Sequence, residues 1–354
     1  MTSGLLDGMR VLDAGIWRPV PHATQMLADL GADVCKLEPP GGDPMRTFPV
    51  LFAGIASHKS SVVLDLGTAE GRARALELAG RAHVFCEGWR PGVADRLGVG
   101  YDAIRAVNHA IIYCSISGYG QTGPYVDRVG HDVNYQALAG AVAPRGAETP
   151  LIPRVPIADL AAGTVAAMLI CAAWAKRVQT GEGERIDVAM ADVCAAWVGP
   201  YDTVAHRDRD TPAGGSPGYG VFRAADGGYV TLAVISEDHF WRAVCDALGL
   251  GDLAALTYGE RLDRIDACNA AVAGAIADLD RDTAVAQLAA AGAPVAPALT
   301  PGEMAGEPQF RSRQVFVEDD DGHLRVGLPA RLSAHPPRRP GPAPEAGAVP
   351  PDWV

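Results

Sequence analysis

The stretch MRVLDAGIWRPVPHATQMLADLGADVCKLEPP, residues 9–40, decides the fold. MRVLDAG reads as a short buried strand. PHATQMLADLG puts Met26, Leu27 and Leu30 at helical spacing, with Gly31 at the stop such a helix needs. ADVCKLEPP is a second strand, ended by its prolines. Strand, helix and strand within about thirty residues make a βαβ unit.

The alternation continues outward from there. SVVLDL (61–66) is a strand, TAEGRARALELAG (68–80) a helix capped by Thr68, and RAHVFCEG (81–88) a strand. Pro91 is placed to open a short helix at its first turn, and IRAVN and AIIYCSIS repeat helix and strand. Repeated βα units imply a parallel sheet covered on both faces, an open α/β (Rossmann-like) domain.

After residue 200 the texture changes. HRDRDTPAGGSP (206–217) reads as a linker, and YGVFRAADGGYVTLAVI (219–235) as a hairpin turning at Asp226–Gly227. Helical segments follow at 236–249, 264–279 and 283–292. The expected organisation is a large α/β domain over 1–200, completed by 320–354. A linker over 201–214, a small α+β domain over 215–305 and a return linker over 306–319 lie between. The tail HPPRRPGPAPEAGAVPPDW (335–353) is too rich in proline for helix or sheet and should run extended over a surface.

Composition bounds the function. The chain has 354 residues, 48% hydrophobic and 20% charged, which suits a globular protein. A net charge of −12 with no basic block excludes a general nucleic-acid binder but not a small anionic ligand. The seven cysteines include no CxxC pair and lie mostly in apolar runs, so reduced buried thiols are expected rather than disulfides or a metal site. MTSGLLDGMRVLD shows no secretory leader, so a cytoplasmic location is expected. IADLAAGTVAAMLICAAWAK (157–176) is nearly apolar but carries Asp159, and is expected to be a core helix rather than a membrane span.

Ligands of open α/β sheets bind beyond the carboxyl ends of the strands. Four loops leave such ends: GIWRPVP, LEPPGGDPMR, EGWRPGVADR and SGYGQTGPY. Three of them carry arginine, namely Arg18, Arg46, and Arg90 with Arg96, which points to an anionic, phosphorylated ligand. The first βα turn lacks GxGxxG, which speaks against a dinucleotide. GHDVNYQALAG (130–140) follows the last of these loops, and taken alone its His131–Asp132 pair is an ordinary helix start.

The phrases LADLGADVCKLEPPGGDPMR, EGWRPGVADRLGVGYD, SISGYGQTGPY, GHDVNY and GEGERIDVAM resemble, in order, the CaiB/BaiF family of class III CoA-transferases. Within that family the likeness is greatest to the α-methylacyl-CoA racemases. The resemblance implies an interlocked homodimer with an acyl-CoA site between the large domain of one chain and the small domain of the other. Coenzyme A then enters as part of the substrate, with no tightly bound cofactor and no metal. The resemblance places Ile16, Gly88, Trp89, Arg90 and Arg96 at the CoA, and Leu64, Asp65 and Leu66 beside its adenine and ribose. Gly130, Asp132, Asn134 and Tyr135 fall near the thioester. Pro39 stands where racemase relatives carry arginine, so Arg46 or Lys59 is expected to reach the phosphates instead.

The family performs two chemistries, and both place a carboxylate at Asp159. As a racemase, the chain would use His131 and Asp159 on opposite faces of the α-carbon of a 2-methyl-branched acyl-CoA. Glu237 would stand beside His131, Tyr135 or Asp132 would fix the His131 ring, and free N–H groups at the start of the Asp159 helix would hold the enolate oxygen. As a transferase, Asp159 would be a nucleophile that moves CoA between carboxylic acids. His131, Glu237 and the lack of a glycine run in AGGSPGYG (213–220) favour the racemase. Val155, where racemases carry asparagine, cuts the other way, although an apolar neighbour there should raise the Asp159 pKa. A non-catalytic CoA-ester-binding homologue is the third alternative.

Overall fold

A computed structural model describes residues 4–142, 149–205, 216–318 and 322–347, with backbone alone for 200–205. The chain divides into two compact units, Met1–Thr203 with Ser312–Val354, and Val204–Arg311.

The first unit is built on six parallel strands: β1 (Arg10–Ala14), β2 (Asp33–Glu38), β3 (Lys59–Val63), β4 (Val84–Glu87), β5 (Ile112–Ser117) and β6 (Glu184–Ala189). Their order is β3-β2-β1-β4-β5-β6. Between them run α1 (Pro19–Asp29), α2 (Pro49–Ala56), α3 (Ala69–Arg81), α4 (Val93–Arg96), α5 (Tyr101–Val107), α6 (Asp132–Leu138) and α7 (Ile157–Thr180). α8 (Met190–Ala205) follows β6 directly.

Strand side chains alternate between the two faces, so each strand feeds two cores. Val11, Val34, Val84, Cys86 and Ile112 meet α1 and α7 on one face. Leu12, Cys35, Phe85 and Tyr113 meet α3 and α5 on the other. α1 and α7 touch closely because Gly163 has no side chain, since a Cβ there would lie 2.7 Å from the Pro19 carbonyl oxygen. α7 is long and apolar enough to cross a membrane by length and composition, yet Ala158, Ala162, Ala166 and Ile170 are buried against this core.

Near the carboxyl ends of β1 and β2 the same face turns ionic. Lys36 bonds Asp43 at 2.7 Å and donates to the Gly15 carbonyl at 2.6 Å. Lys59 donates to Asp13 at 2.9 Å, Thr24 at 2.7 Å and the Pro21 carbonyl at 2.9 Å. Burial would raise the Asp13 carboxyl, but the two lysines outweigh it and hold the pKa below the usual value.

Thr68 caps α3, accepting from Gly71 N, as its position in the sequence predicts. Pro91 does not open its helix: Gly92, at φ 76°, precedes the first helical residue, Val93. The described part of the tail, up to Gly347, lies extended on this unit. Arg338 N donates to the Asp29 carbonyl at 2.7 Å, its guanidinium to Gly31 and Ala32, and Gly347 N to Ser61 Oγ at 3.0 Å.

The second unit has an antiparallel sheet of β7 (Tyr219–Arg223), β8 (Tyr229–Ala233) and β9 (Val295–Pro297). The hairpin turns through Asp226, which accepts from Gly228 N, and Gly227 at φ 84°. α9 (Asp238–Leu248), α10 (Tyr258–Leu262), α11 (Ile265–Ala277) and α12 (Arg281–Ala290) follow β8, and Trp241, Val272 and Leu288 close a core on Val230 and Leu232. Past β9 come α13 (Pro301–Gly306), α14 (Pro308–Ser312) and a hairpin of β10 (Phe316–Glu318) and β11 (Leu324–Val326). The stretch read as a return linker, 306–319, therefore holds a helix and a strand. Most of the 201–214 linker and the first part of AGGSPGYG lie outside the described residues.

Candidate active site

The order of the sheet reverses between β1 and β4, and crevices of open α/β sheets form at such a point. The loops after β1, β4 and β5, with α6 and the first turn of α7, enclose a cavity of about 660 Å³ there.

Glycines shape these loops. A Cβ on Gly15 would lie 2.3 Å from Val20 Cβ, so only glycine lets the chain turn over α1. Trp17 follows at φ 62°, a left-handed conformation that non-glycine residues adopt at a cost. Beyond β5, the Tyr135 ring fills the space where Gly118 and Gly130 would carry side chains, at 2.5 Å and 2.8 Å from ideal Cβ positions. The Tyr135 hydroxyl donates to the Gly130 carbonyl, which fixes the turn before His131. That turn is closed from the other side by His131 N donating to Asn134 Oδ1 at 3.0 Å.

His131 and Asp159 both line the cavity. Burial pushes the Asp159 carboxyl up to about 7; Asp132 nearby adds to the shift and Arg18 opposes it. Val155 is 54% exposed. Asp159 N donates to Asp132 Oδ1 at 3.2 Å, and Asp132 Oδ2 accepts from Gln136. One of the N–H groups at the start of this helix, that of Asp159, is thus already taken and not free for an enolate oxygen. Tyr135 and Asp132 are likewise spent on Gly130, Gln136 and Asp159 N rather than on the His131 ring.

The residues expected at CoA separate into those on the cavity wall and those elsewhere. Ile16, Gly88, Trp89, Arg90, Gly130, Asn134 and Tyr135 line it. Arg96 is exposed on α4 and does not line it. Leu64, Asp65 and Leu66 lie past β3; Leu64 and Leu66 pack on the same hydrophobic cluster as Trp89, and Asp65 accepts from Gly67 N. Glu237 belongs to the second unit, where its carboxylate accepts from Ile235 N at 3.1 Å. Arg261 clamps that turn through Ile235 O and Asp238.

Two expectations need correction. Lys59 is 5% exposed and its ammonium is consumed by Asp13, Thr24 and Pro21, so it cannot reach a phosphate. Arg46 is bound to both Glu38 oxygens, at 2.6 Å and 2.5 Å, and to the Pro344 carbonyl, so it ties the tail to β2 instead.

Sequence reasoning missed Trp17, Tyr119, Val126, Arg128 and Met190 on the wall. It also missed Glu87, whose buried carboxyl is pushed up to about 7 and accepts from Trp89 N at 2.9 Å. Trp17, Glu87 and Tyr119 carried a sequence signal, since all three lie in the strand-end loops GIWRPVP, EGWRPGVADR and SGYGQTGPY.

A parallel sheet with a loop-walled cavity at its switch point, and an abnormally basic carboxyl in that wall, defines an α/β protein equipped for carboxylate chemistry. The model of CoA-transferase family III matches residues 6–349, and the chain belongs to that family. It is 33% identical to the acetyl-CoA:oxalate CoA-transferase of Acetobacter aceti, over 96% of this chain and 92% of that one. It is 32% identical to the succinyl-CoA:mesaconate CoA-transferase of Haloarcula marismortui, over 96% and 93%. A CaiB/BaiF family protein from Brucella suis has the same fold, with a TM-score of 0.86 and 28% identity over 98% of this chain and 97% of that one.

These relatives overturn the racemase expectation, because they are named as CoA-transferases. The features that favoured racemisation were single residues and a short loop, which the resemblance over the whole chain outweighs.

Proposed function

We propose that the protein is a CoA-transferase in which Asp159 is the nucleophile. The observation that carries this reading is the Asp159 carboxyl itself, in the cavity wall and held near neutrality by burial. A carboxylate of raised pKa is a better nucleophile than an ordinary one and is still substantially ionised near pH 7. The relatives support the reaction type.

The chemistry closes on this one group. The Asp159 carboxylate attacks the thioester carbonyl, the C–S bond breaks, and CoA leaves as thiolate from a mixed anhydride. The thiolate attacks the Asp159 carbonyl, releasing the first acid as carboxylate and leaving an aspartyl thioester. The second acid's carboxylate reverses the sequence, and Asp159 is regenerated. No proton or electron is gained or lost overall. The 660 Å³ cavity receives the pantetheine arm, with Trp89 and Arg90 on its wall, and Arg96 on α4 serves the phosphate end.

The working form is a homodimer. Met168 and Val178 on α7, and Trp197 on α8, are 61%, 67% and 59% exposed in the single chain, an apolar surface that a second copy would cover.

The test is to trap the intermediate. Protein incubated with succinyl-CoA and then hydroxylamine should carry a hydroxamate on Asp159, found by peptide mass spectrometry. An unmodified Asp159, with CoA transfer intact in Asp159→Ala, would refute the assignment.

A further inference from the structure

A second cavity, of about 430 Å³, shares Trp17, His131 and Asp159 with the first, and adds Arg18, Arg154, Asp132 and Met45. Resting on the transferase reading, we propose that this cavity holds the free acid, and that Arg18 and Arg154 select a dicarboxylic acid by pairing with the carboxylate that does not react.

The placement follows from what the nucleophile must face. During the reaction Asp159 meets a thioester on one side and a free carboxylate in turn, and it borders both cavities. The pantetheine arm takes the larger one, so the acid's chain extends into the smaller. Arg18 acts on the Asp159 carboxyl electrostatically, so it stands near the reacting end of the thioester. The length of the pantetheine arm keeps the CoA phosphates away from that end, so Arg18 is not a phosphate ligand. Nor is its side chain consumed elsewhere: the Arg18 carbonyl accepts from His22 N, but among the described residues neither the Arg18 nor the Arg154 guanidinium has a hydrogen-bond or ion-pair partner on the protein.

Charge makes the selection depend on the catalytic state. In the resting protein the two arginines face two carboxylates, Asp132 and Asp159. Acylation of Asp159 removes one of these negative charges, so the cavity becomes positive at the moment the free acid enters. Asp132 does not compete for the arginines, since its oxygens accept from Gln136 and Asp159 N. A monocarboxylate places its only charge at Asp159 and leaves both guanidinium groups to water, whereas a short dicarboxylate supplies a bidentate partner.

The experiment compares succinate and glutarate with butyrate as acceptors, using one acyl-CoA donor, in wild-type protein and in Arg18→Met, Arg18→Lys and Arg154→Met. Wild-type kcat/KM should favour the diacids, and the diacid-to-butyrate ratio should fall about 10- to 100-fold in Arg18→Met. Arg154→Met should also lower it, and Arg18→Lys, which keeps the charge, should recover part of it. Equal losses for diacid and butyrate would overturn the proposal. So would a KM rise for acyl-CoA that the corresponding pantetheine thioester does not share, because Arg18 would then serve the phosphates. If Arg18→Met fails to fold, the Arg154→Met and Arg18→Lys ratios decide. Wild-type protein whose Asp159 takes up hydroxylamine but shows no diacid preference would refute this inference alone. Protein whose Asp159 is never labelled would refute the transferase reading beneath it.

Discussion

Replacing Asp159 by asparagine should abolish transfer and, at alkaline pH, stabilise the protein. The Asp159 carboxyl rises from an ordinary value of 3.8 to about 7, chiefly by burial. The folded protein therefore keeps a proton there that the unfolded chain releases, and stability falls as pH rises from about 4 through about 7, then levels. Each pKa unit is worth about 1.4 kcal/mol, so the full shift corresponds to ~4 kcal/mol. Partial water access to the carboxyl brings the expected cost to about 2–4 kcal/mol. Asparagine removes the ionisation and keeps the shape. Thermal unfolding of the two proteins should then coincide below about pH 4 and diverge toward pH 8, where the variant melts higher by roughly 3–5 °C. Glu87, raised to about 7, and Asp29, raised to about 6, slope the same way in both proteins and cancel in the difference. A difference in melting temperature that stays flat between pH 4.5 and 8 would refute the claim that burial holds this carboxyl protonated.

Lys59→Met should cost about 3 kcal/mol or more in urea unfolding, by stranding the buried Asp13 carboxylate, without the selective loss of acyl-CoA affinity that a phosphate ligand would show. Gly118→Ala should lower stability by about 1–3 kcal/mol and kcat with it, because its methyl displaces the Tyr135 ring that sets the His131 turn; unchanged kcat would separate that turn from catalysis. Arg96→Glu should raise KM for acyl-CoA far more than for a truncated pantetheine thioester, and equal effects would remove it from the phosphate end.

The parts of this molecule that obey a period were readable from the chain. Val11, Leu12, Val34 and Cys35 announce buried strands, and Thr68 announces a helix start, because these depend on neighbours a few residues away. What depends on distant neighbours was not readable. Lys59 looks like a free cation until β1 places Asp13 beside it, and Arg46 until Glu38 and the tail close on it. Trp17 and Met190 join one wall although they lie far apart in sequence, as no local pattern records. His131 and Asp159 were found because the motifs around them are distinctive. The reaction was misjudged, since a carboxylate at Asp159 suits both of the family's chemistries.

The Lys36 bond to the Gly15 carbonyl makes the cavity wall a reporter of sheet assembly. Lys36 comes from β2, its partners Asp13 and Asp43 from β1 and the loop after β2, and Lys59 from β3. Lys36 and Asp43 pair within the β2 segment, whereas Asp13 meets its lysines only when β1 lies beside β2 and Lys59 reaches it from β3. The turn that carries Trp17 leaves β1 through Gly15, so the wall of the cavity takes its position from the charges that three neighbouring strands share.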